Sequence, residues 1–269
     1  MTEATPASAP VLLESVHGGV AVLVMNRPDR MNALNNDLAT ALYGSLKRIS
    51  EDDSIRVVVL TGAGRAFCAG GDLSVIGKGR EANDVKQLEP ILRAGMGAVI
   101  TLRTMPQPVI AAVNGAAAGA GMNVALAADI RVAAEEAVFG QNFAKVGLFP
   151  DYGGTYFLPQ LVGPSKAAEM FYTGDMIDAQ TALRLGLVNR VVPAAQLEAE
   201  VKTLAQKIAT GPPLATRAVK KVLFASHKEE LERALEIEVQ HQMRCFASED
   251  CLEGVHAFFQ KRAPQFRGR

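Results

Sequence analysis

Residues 108–129 read PVIAAVNGAAAGAGMNVALAAD, an apolar run, a turn dipeptide and a glycine-studded helix start. Pro108 to Val113 has the length and composition of a buried strand, and Asn114-Gly115 marks a turn. Gly119-Ala120-Gly121 then opens a helix carrying Met122, Val124, Ala125 and Leu126. The first N–H groups of a helix have no partner inside it, and the helix dipole favours partial negative charge there. With almost no side chains in the way, a ligand can approach the main chain closely. An anion or oxyanion site fits this stretch, and so does simple close packing of a small-residue helix on a sheet. A membrane span is a third reading, because Thr104 to Ala128 carries no charge. Two prolines, Asn114, Asn123 and the Ala/Gly bulk argue against it, so no membrane partner is expected.

The chain has 269 residues, 49% of them hydrophobic and 21% charged, an ordinary globular composition that can fold without disulfides. Lys plus Arg equals Asp plus Glu at 28 each, so no global field gathers nucleic acid or an anionic membrane, and an anionic ligand must be held locally. Residues 1–10, MTEATPASAP, lack the basic-then-apolar pattern of a signal peptide, which predicts a disordered tail and a cytoplasmic protein. Cys68, Cys245 and Cys251 and four dispersed histidines have no metal-type spacing. No metal and no separate cofactor are expected.

Outward from the opening stretch, Val11 to Val16 and Val20 to Met25 predict a β-hairpin. Leu38, Leu42, Leu46 and Ile49 predict a helix capped by Asn36 or Asp37, and Arg56 to Leu60 predicts a strand buried on both faces. Residues 66–73, AFCAGGDL, repeat the pattern of a strand followed by a glycine-rich turn. Two such turns can bring two sets of backbone N–H groups together. Residues 74–84 are polar and glycine-bearing and read as a mobile flap, and Val85 to Met105 reads as a helix with Pro90 kinking its start.

Further on, Asp151 is the only carboxylate between Glu136 and Glu169 and has Leu148, Phe149, Tyr152 and Phe157 as neighbours. Desolvation in such a setting raises a carboxyl pKa; an aspartate before Gly-Gly-Thr is equally a good helix N-cap. Strands with interleaved helices fill residues 11–193 and helices alone fill 194–269, which makes the fold α/β with a helical C-terminal region.

The segments NRPDRMNAL (26–34), VVVLTGAGRAFCAGGDL (57–73), NGAAAGAGMNVALAAD (114–129), GLFPDYGGTYFLPQLVG (147–163) and GVHAFFQKRAPQF (254–266) resemble, in this order, the crotonase or enoyl-CoA hydratase/isomerase family. The resemblance implies a superhelix of repeated ββα units and a C-terminal helical region that builds homotrimers, often paired into hexamers. It implies an acyl-CoA thioester as ligand, its carbonyl oxygen held by the N–H groups of Gly71 and Ala120. By the same carry-over, Arg30, Met31, Ala69, Gly70, Asp72 and Leu73 follow the CoA path, with Phe258 and Lys261 near it. The two glutamates that hydratases of the family use fall at Asn123 and Phe143, and neither can act as acid or base. Asp151 falls on the catalytic aspartate of isomerising members, notably ring-1,2-epoxyphenylacetyl-CoA and dienoyl-CoA isomerases; GLFPDYGGT and FFQKRAPQF look most like the former, and the motifs together resemble these and 3-enoyl-CoA isomerases. Asn123, Phe143 and Phe149 are expected in the substrate pocket, with Phe143 keeping water out. The reading is therefore an acyl-CoA isomerase. A hydratase, a displacement with Asp151 as nucleophile, and a non-catalytic acyl-CoA- or RNA-binding relative are the alternatives.

Overall fold

The structure, a computed structural model, describes residues 9–225 and 227–269. Most of the tail expected over 1–10 lies outside the described residues. Pro10 is already tied down, its carbonyl accepting from Asn26 Nδ2 at 2.9 Å.

The hairpin forms as β1 (Leu12–His17) and β2 (Val20–Met25), paired antiparallel. Helix α1 (Asn36–Ser50) follows, with Leu38, Leu42, Leu46 and Ile49 buried along one face; its cap is Asn35, one residue before the expected pair, whose side chain accepts from Leu38 N–H. Then β3 (Val57–Gly62) and β4 (Ala66–Cys68) lead into α2 (Leu73–Glu81) and α3 (Glu89–Thr104). The opening stretch becomes β5 (Val109–Val113), β6 (Ala116–Ala118) and α4 (Ala120–Ala127). A third turn runs through β7 (Ile130–Ala134), β8 (Val138–Gly140) and α5 (Gly154–Val162), then α6 (Pro164–Thr173), β9 (Met176–Asp178), α7 (Ala179–Arg184) and β10 (Arg190–Val192).

The strands sort into two sheets. One has the order β1-β2-β3-β5-β7-β10, the other β4-β6-β8-β9. In each of three successive turns the first strand joins the six-stranded sheet and the second joins the four-stranded one. The chain therefore winds as a spiral of ββα units, as the resemblance implies, and every turn from a second strand opens at the same end of the smaller sheet.

Two expectations are corrected here. Residues 74–84 are a helix for most of their length, not a flap: Asp72 caps α2 through Ser74 N–H, and Gly77 and Gly79 are buried where Val255 and Leu88 come close. Pro90 sits in the first turn of α3, where its missing N–H costs nothing, so it starts the helix without kinking it.

Helix α4 is buried on all sides. It fits because Gly121 lacks a side chain: a Cβ there would lie 2.2 Å from the carbonyl oxygen of Cys68. We expect Gly121→Ala to destabilise the fold by about 1–3 kcal/mol, read as a lower denaturation midpoint, and to displace the start of α4.

Four helices close the chain: α8 (Ala194–Ala209), α9 (Pro213–Ala225), α10 (Lys228–Ala247) and α11 (Glu249–Gln260). Helix α8 lays Leu197, Val201 and Ala205 on the Val57, Val59, Ile110 and Val132 face of the larger sheet. Helix α10 buries Leu231, Leu235, Val239 and Phe246 against the main core. Lys220 of α9 is buried, its Nζ 2.8 Å from Asp129 Oδ2 and donating to the carbonyls of Leu102 and Gln107. Leu214, Val222, Leu223, Phe258 and Phe259 stay exposed. Among the described residues no helix is long and apolar enough to cross a membrane.

Candidate active site

The turn after β4 is held by the 31–34 segment. Leu34 N–H donates to Gly70 O at 2.7 Å and Asp72 N–H to Leu34 O at 3.0 Å, a bridge that leaves the N–H of Gly71 unused. Asp72 fixes the far side: it accepts from Ser74 Oγ at 2.6 Å and pairs with Arg27 at 2.9 Å. Burial works to raise its pKa, but Ser74 and Arg27 outweigh burial and hold the carboxyl below its ordinary value. The turn after β6 is set by Gly119, at φ 52°, whose N–H donates to Gly140 O at 2.8 Å. That aims Ala120, the first residue of α4, with its N–H outside the helix ladder. The two turns touch, since a Cβ on Gly70 would lie 2.8 Å from Ala118 O and 3.6 Å from Ala120 N. Among the described residues neither the Gly71 nor the Ala120 N–H has a hydrogen-bond partner, and both residues line one cavity of about 430 Å³.

Asp151 stands in the wall of the same cavity, 6% exposed. Its Oδ2 accepts from Gln242 Nε2 of α10 at 2.9 Å, and its Oδ1 is buried without a partner. Asp151 does not cap α5. The residue at the cap is Gly153, in the left-handed region at φ 82°, and the helix start is satisfied from α10. There Glu238 accepts from Gly153 N–H at 2.7 Å, Thr155 N–H at 2.9 Å and Thr155 Oγ1 at 2.6 Å. Burial pushes the Asp151 pKa up to about 7, against the pull of the Gln242 hydrogen bond, and the charge of Glu238 adds to the rise. Glu238 is likewise raised to about 7 by burial, against its hydrogen bonds from Thr155 and Gly153.

Both folded-state values lie above the unfolded ones near 3.8 and 4.5. The stability this contributes is full below the unfolded values and is lost as pH rises through about 7. Thermal unfolding across this range should show Asp151→Asn equal to the wild type near about pH 4 and more stable above about pH 8. A difference that does not change with pH would refute the raised value.

The structure brings Ala69, Gly70, Gly71, Asp72, Leu73, Ala120, Phe143, Asp151, Phe258 and Lys261 to this cavity. It does not bring Arg30 or Met31 into the lining; they lie on the turn that precedes the Leu34–Gly71 bridge, with Met31 and Asn32 at positive φ. Two pocket assignments are corrected. Asn123 is fully buried behind the wall, donating from Nδ2 to the Asp151 carbonyl at 2.7 Å and accepting from Gln141 at 2.6 Å. Phe149 stacks on His241 with ring centroids 5.0 Å apart and does not face the cavity. Apolar wall comes instead from Leu88, Ile91, Leu92 and Phe246, and from Tyr152, whose hydroxyl donates to Ile91 O at 3.0 Å. Tyr152 has φ 53°, and Gly95 makes room for its ring.

Sequence reading missed Gln242 and Glu238. The signal was present: both sit in the buried stripe of α10 with Leu231, Leu235, Val239 and Phe246, where a polar residue requires a partner. Among the described residues no three His, Cys, Asp or Glu side chains form a metal-binding group.

Residues 15–269 match the enoyl-CoA hydratase/isomerase family. The chain belongs to this crotonase family. Among its relatives, a probable enoyl-CoA hydratase of Rhodobacter capsulatus is 42% identical over 93% of this chain and 95% of its own. The 1,2-epoxyphenylacetyl-CoA isomerase of Escherichia coli K12 is 38% identical over 96% and 98%. The crystal structure of an enoyl-CoA hydratase from Mycobacterium avium subsp. paratuberculosis K-10 superposes with a TM-score of 0.87 at 33% identity, covering 96% of this chain and 98% of that one. The crotonase fold and the family of acyl-CoA enzymes are thereby shown.

Proposed function

We propose that the protein is an acyl-CoA isomerase that moves a double bond from the 3- to the 2-position of an enoyl-CoA, or isomerises an aryl-epoxide CoA thioester, through a thioester enolate. The observation that carries this reading is the unpartnered Oδ1 of Asp151. Among the titratable residues lining the cavity, Asp72 is spent on Arg27 and Ser74, the Tyr152 hydroxyl on Ile91, and Arg262 on Glu253. Among the described lining residues, Asp151 alone has a carboxyl oxygen without a hydrogen-bond partner.

In this reading the thioester oxygen sits between the Gly71 and Ala120 N–H groups, donors fixed before the reaction and therefore effective on the charge that develops. Asp151 takes the proton from C2 of a 3-enoyl thioester and returns it at C4. A carboxyl poised near 7 suits both halves of that transfer at neutral pH. Phe143, Ile91, Leu92 and Phe246 keep water from the enolate. Lys261 lines the cavity without a carboxylate partner among the described residues, a suitable charge for the phosphates of coenzyme A. The exposed Leu214, Val222 and Leu223 of α9 support a further part of the reading, association into trimers or hexamers.

Hydration is the second reading, favoured by the names of several relatives, among them the crotonyl-CoA hydratase of Syntrophomonas wolfei at 38% identity. Hydration needs a second group to hold water beside the base, and the two family positions for it carry Asn123, buried and hydrogen-bonded at both its oxygen and its nitrogen, and Phe143. A paired assay separates the two. Purified protein receives a 3-enoyl-CoA and, separately, a 2-enoyl-CoA, and products are resolved by mass spectrometry. Conversion of the first without hydration of the second is the expected result; efficient hydration of the second would overturn the isomerase reading.

A further inference from the structure

Gln242 is held at both ends. Its Oε1 accepts from Phe149 N–H at 3.0 Å, and this fixes which end of the amide faces Asp151; Nε2 then donates to Oδ2. The side chain is 1% exposed, and its partners lie more than 90 residues away in sequence. Reversing the amide would set a carbonyl oxygen against a carboxylate and leave the Phe149 N–H facing an NH₂ group, two repulsive contacts at once.

Resting on the reading of Asp151 as the acid/base, we propose that Gln242 is the positioning residue of the site: it locks the Asp151 carboxyl in one orientation, so that Oδ2 is the anchored oxygen and Oδ1 the one that transfers the proton. Glu238, one turn earlier on α10, completes the device. By engaging Gly153 and Thr155 it fixes the backbone that follows Asp151, and its charge opposes ionisation of Asp151, whereas the Gln242 donor favours it. Burial sets most of the rise in the Asp151 pKa, and these two residues of one helix adjust it in opposite directions. The other groups around Asp151 are Tyr152 beside it and, on the walls of the shared cavity, Asp72, Lys145, Lys261 and Arg262.

The test uses Gln242→Met, which keeps volume but loses the donor, and Gln242→Glu, which keeps the acceptor for Phe149 N–H and sets a like charge against Oδ2. Titration of the Asp151 carboxyl is followed by ¹³C NMR of aspartate-labelled protein, the signal being assigned by its absence in Asp151→Asn. Gln242→Met should move the titration up by about one unit or more, and Gln242→Glu should turn it into a coupled two-step curve. For turnover, kcat of Gln242→Met should fall by about tenfold or more with KM within about threefold, and the acidic limb of its pH profile should move with the NMR titration. An Asp151 titration unmoved in both variants, even alongside a lower kcat, would overturn the proposal and leave Gln242 a packing residue. A wild type that turns over no enoyl-CoA would count against the isomerase reading instead, since the NMR titration needs no substrate.

Discussion

Asp151→Asn should lower kcat by roughly 10³- to 10⁴-fold while leaving the affinity for a CoA thioester within about threefold. Asparagine keeps the shape of the side chain, and its Oδ1 can still accept from Gln242, so the wall of the cavity is preserved. What disappears is, among the described lining residues, the one carboxyl oxygen without a hydrogen-bond partner, the proposed proton acceptor. The loss therefore belongs to the transition state, not to binding. Steady-state kinetics with a 3-enoyl-CoA, paired with equilibrium binding of a saturated acyl-CoA, check both halves. Near-normal turnover in the variant would remove Asp151 from the chemistry. In the wild type the same carboxyl must be ionised to act as base, so kcat/KM should decline as pH falls below about 7.

The second large effect concerns the other half of the site. Ala120→Pro replaces one proposed oxyanion donor by a ring methylene at the first position of α4, where helices accept proline readily. The preceding residue is Gly119, at φ 52° and ψ −127°, the mirror image of the extended backbone that proline demands of its neighbour and one that glycine adopts without strain. The fold should survive. The kcat should fall by about 10²- to 10³-fold, the cost of one oxyanion-hole donor elsewhere. A variant that folds, shown by an unchanged circular dichroism melt, and retains activity within about threefold would place the thioester oxygen elsewhere.

Much of this arrangement was legible because local composition and tertiary demand agree. Val109 to Val113 is apolar along its whole length and is buried on both faces; Gly119 and Gly121 are glycines because one turn needs a positive φ and one helix lies against the Cys68 carbonyl. Asp151 stood out as an isolated carboxylate among apolar neighbours, and its burial follows from them. What escaped reading is where distant segments overrule local preference. Ala116 to Ala118 has no strand propensity, and its extended form comes from pairing with β4 on one side and β8 on the other. The glycines at 77 and 79 look like flexibility but are places where Val255 and Leu88 press close to α2. Gln242 and Glu238 are remote in sequence from the residues they brace, and only the docking of α10 across α5 makes them neighbours. Asn123 lies one helical turn from Ala120 and Phe149 follows Leu148, yet their side chains turn to Gln141 and His241.

The most direct measurement of the central claim is the fate of the C2 hydrogen. A 3-enoyl-CoA deuterated at C2 would be turned over once by excess protein in ordinary water and the product analysed by NMR and mass spectrometry. One shielded carboxyl that removes a proton at C2 and delivers it at C4 predicts deuterium at C4 of a 2-enoyl-CoA, with no oxygen added at C3. A product whose C4 hydrogen comes wholly from solvent, or one that carries a hydroxyl at C3, would contradict it.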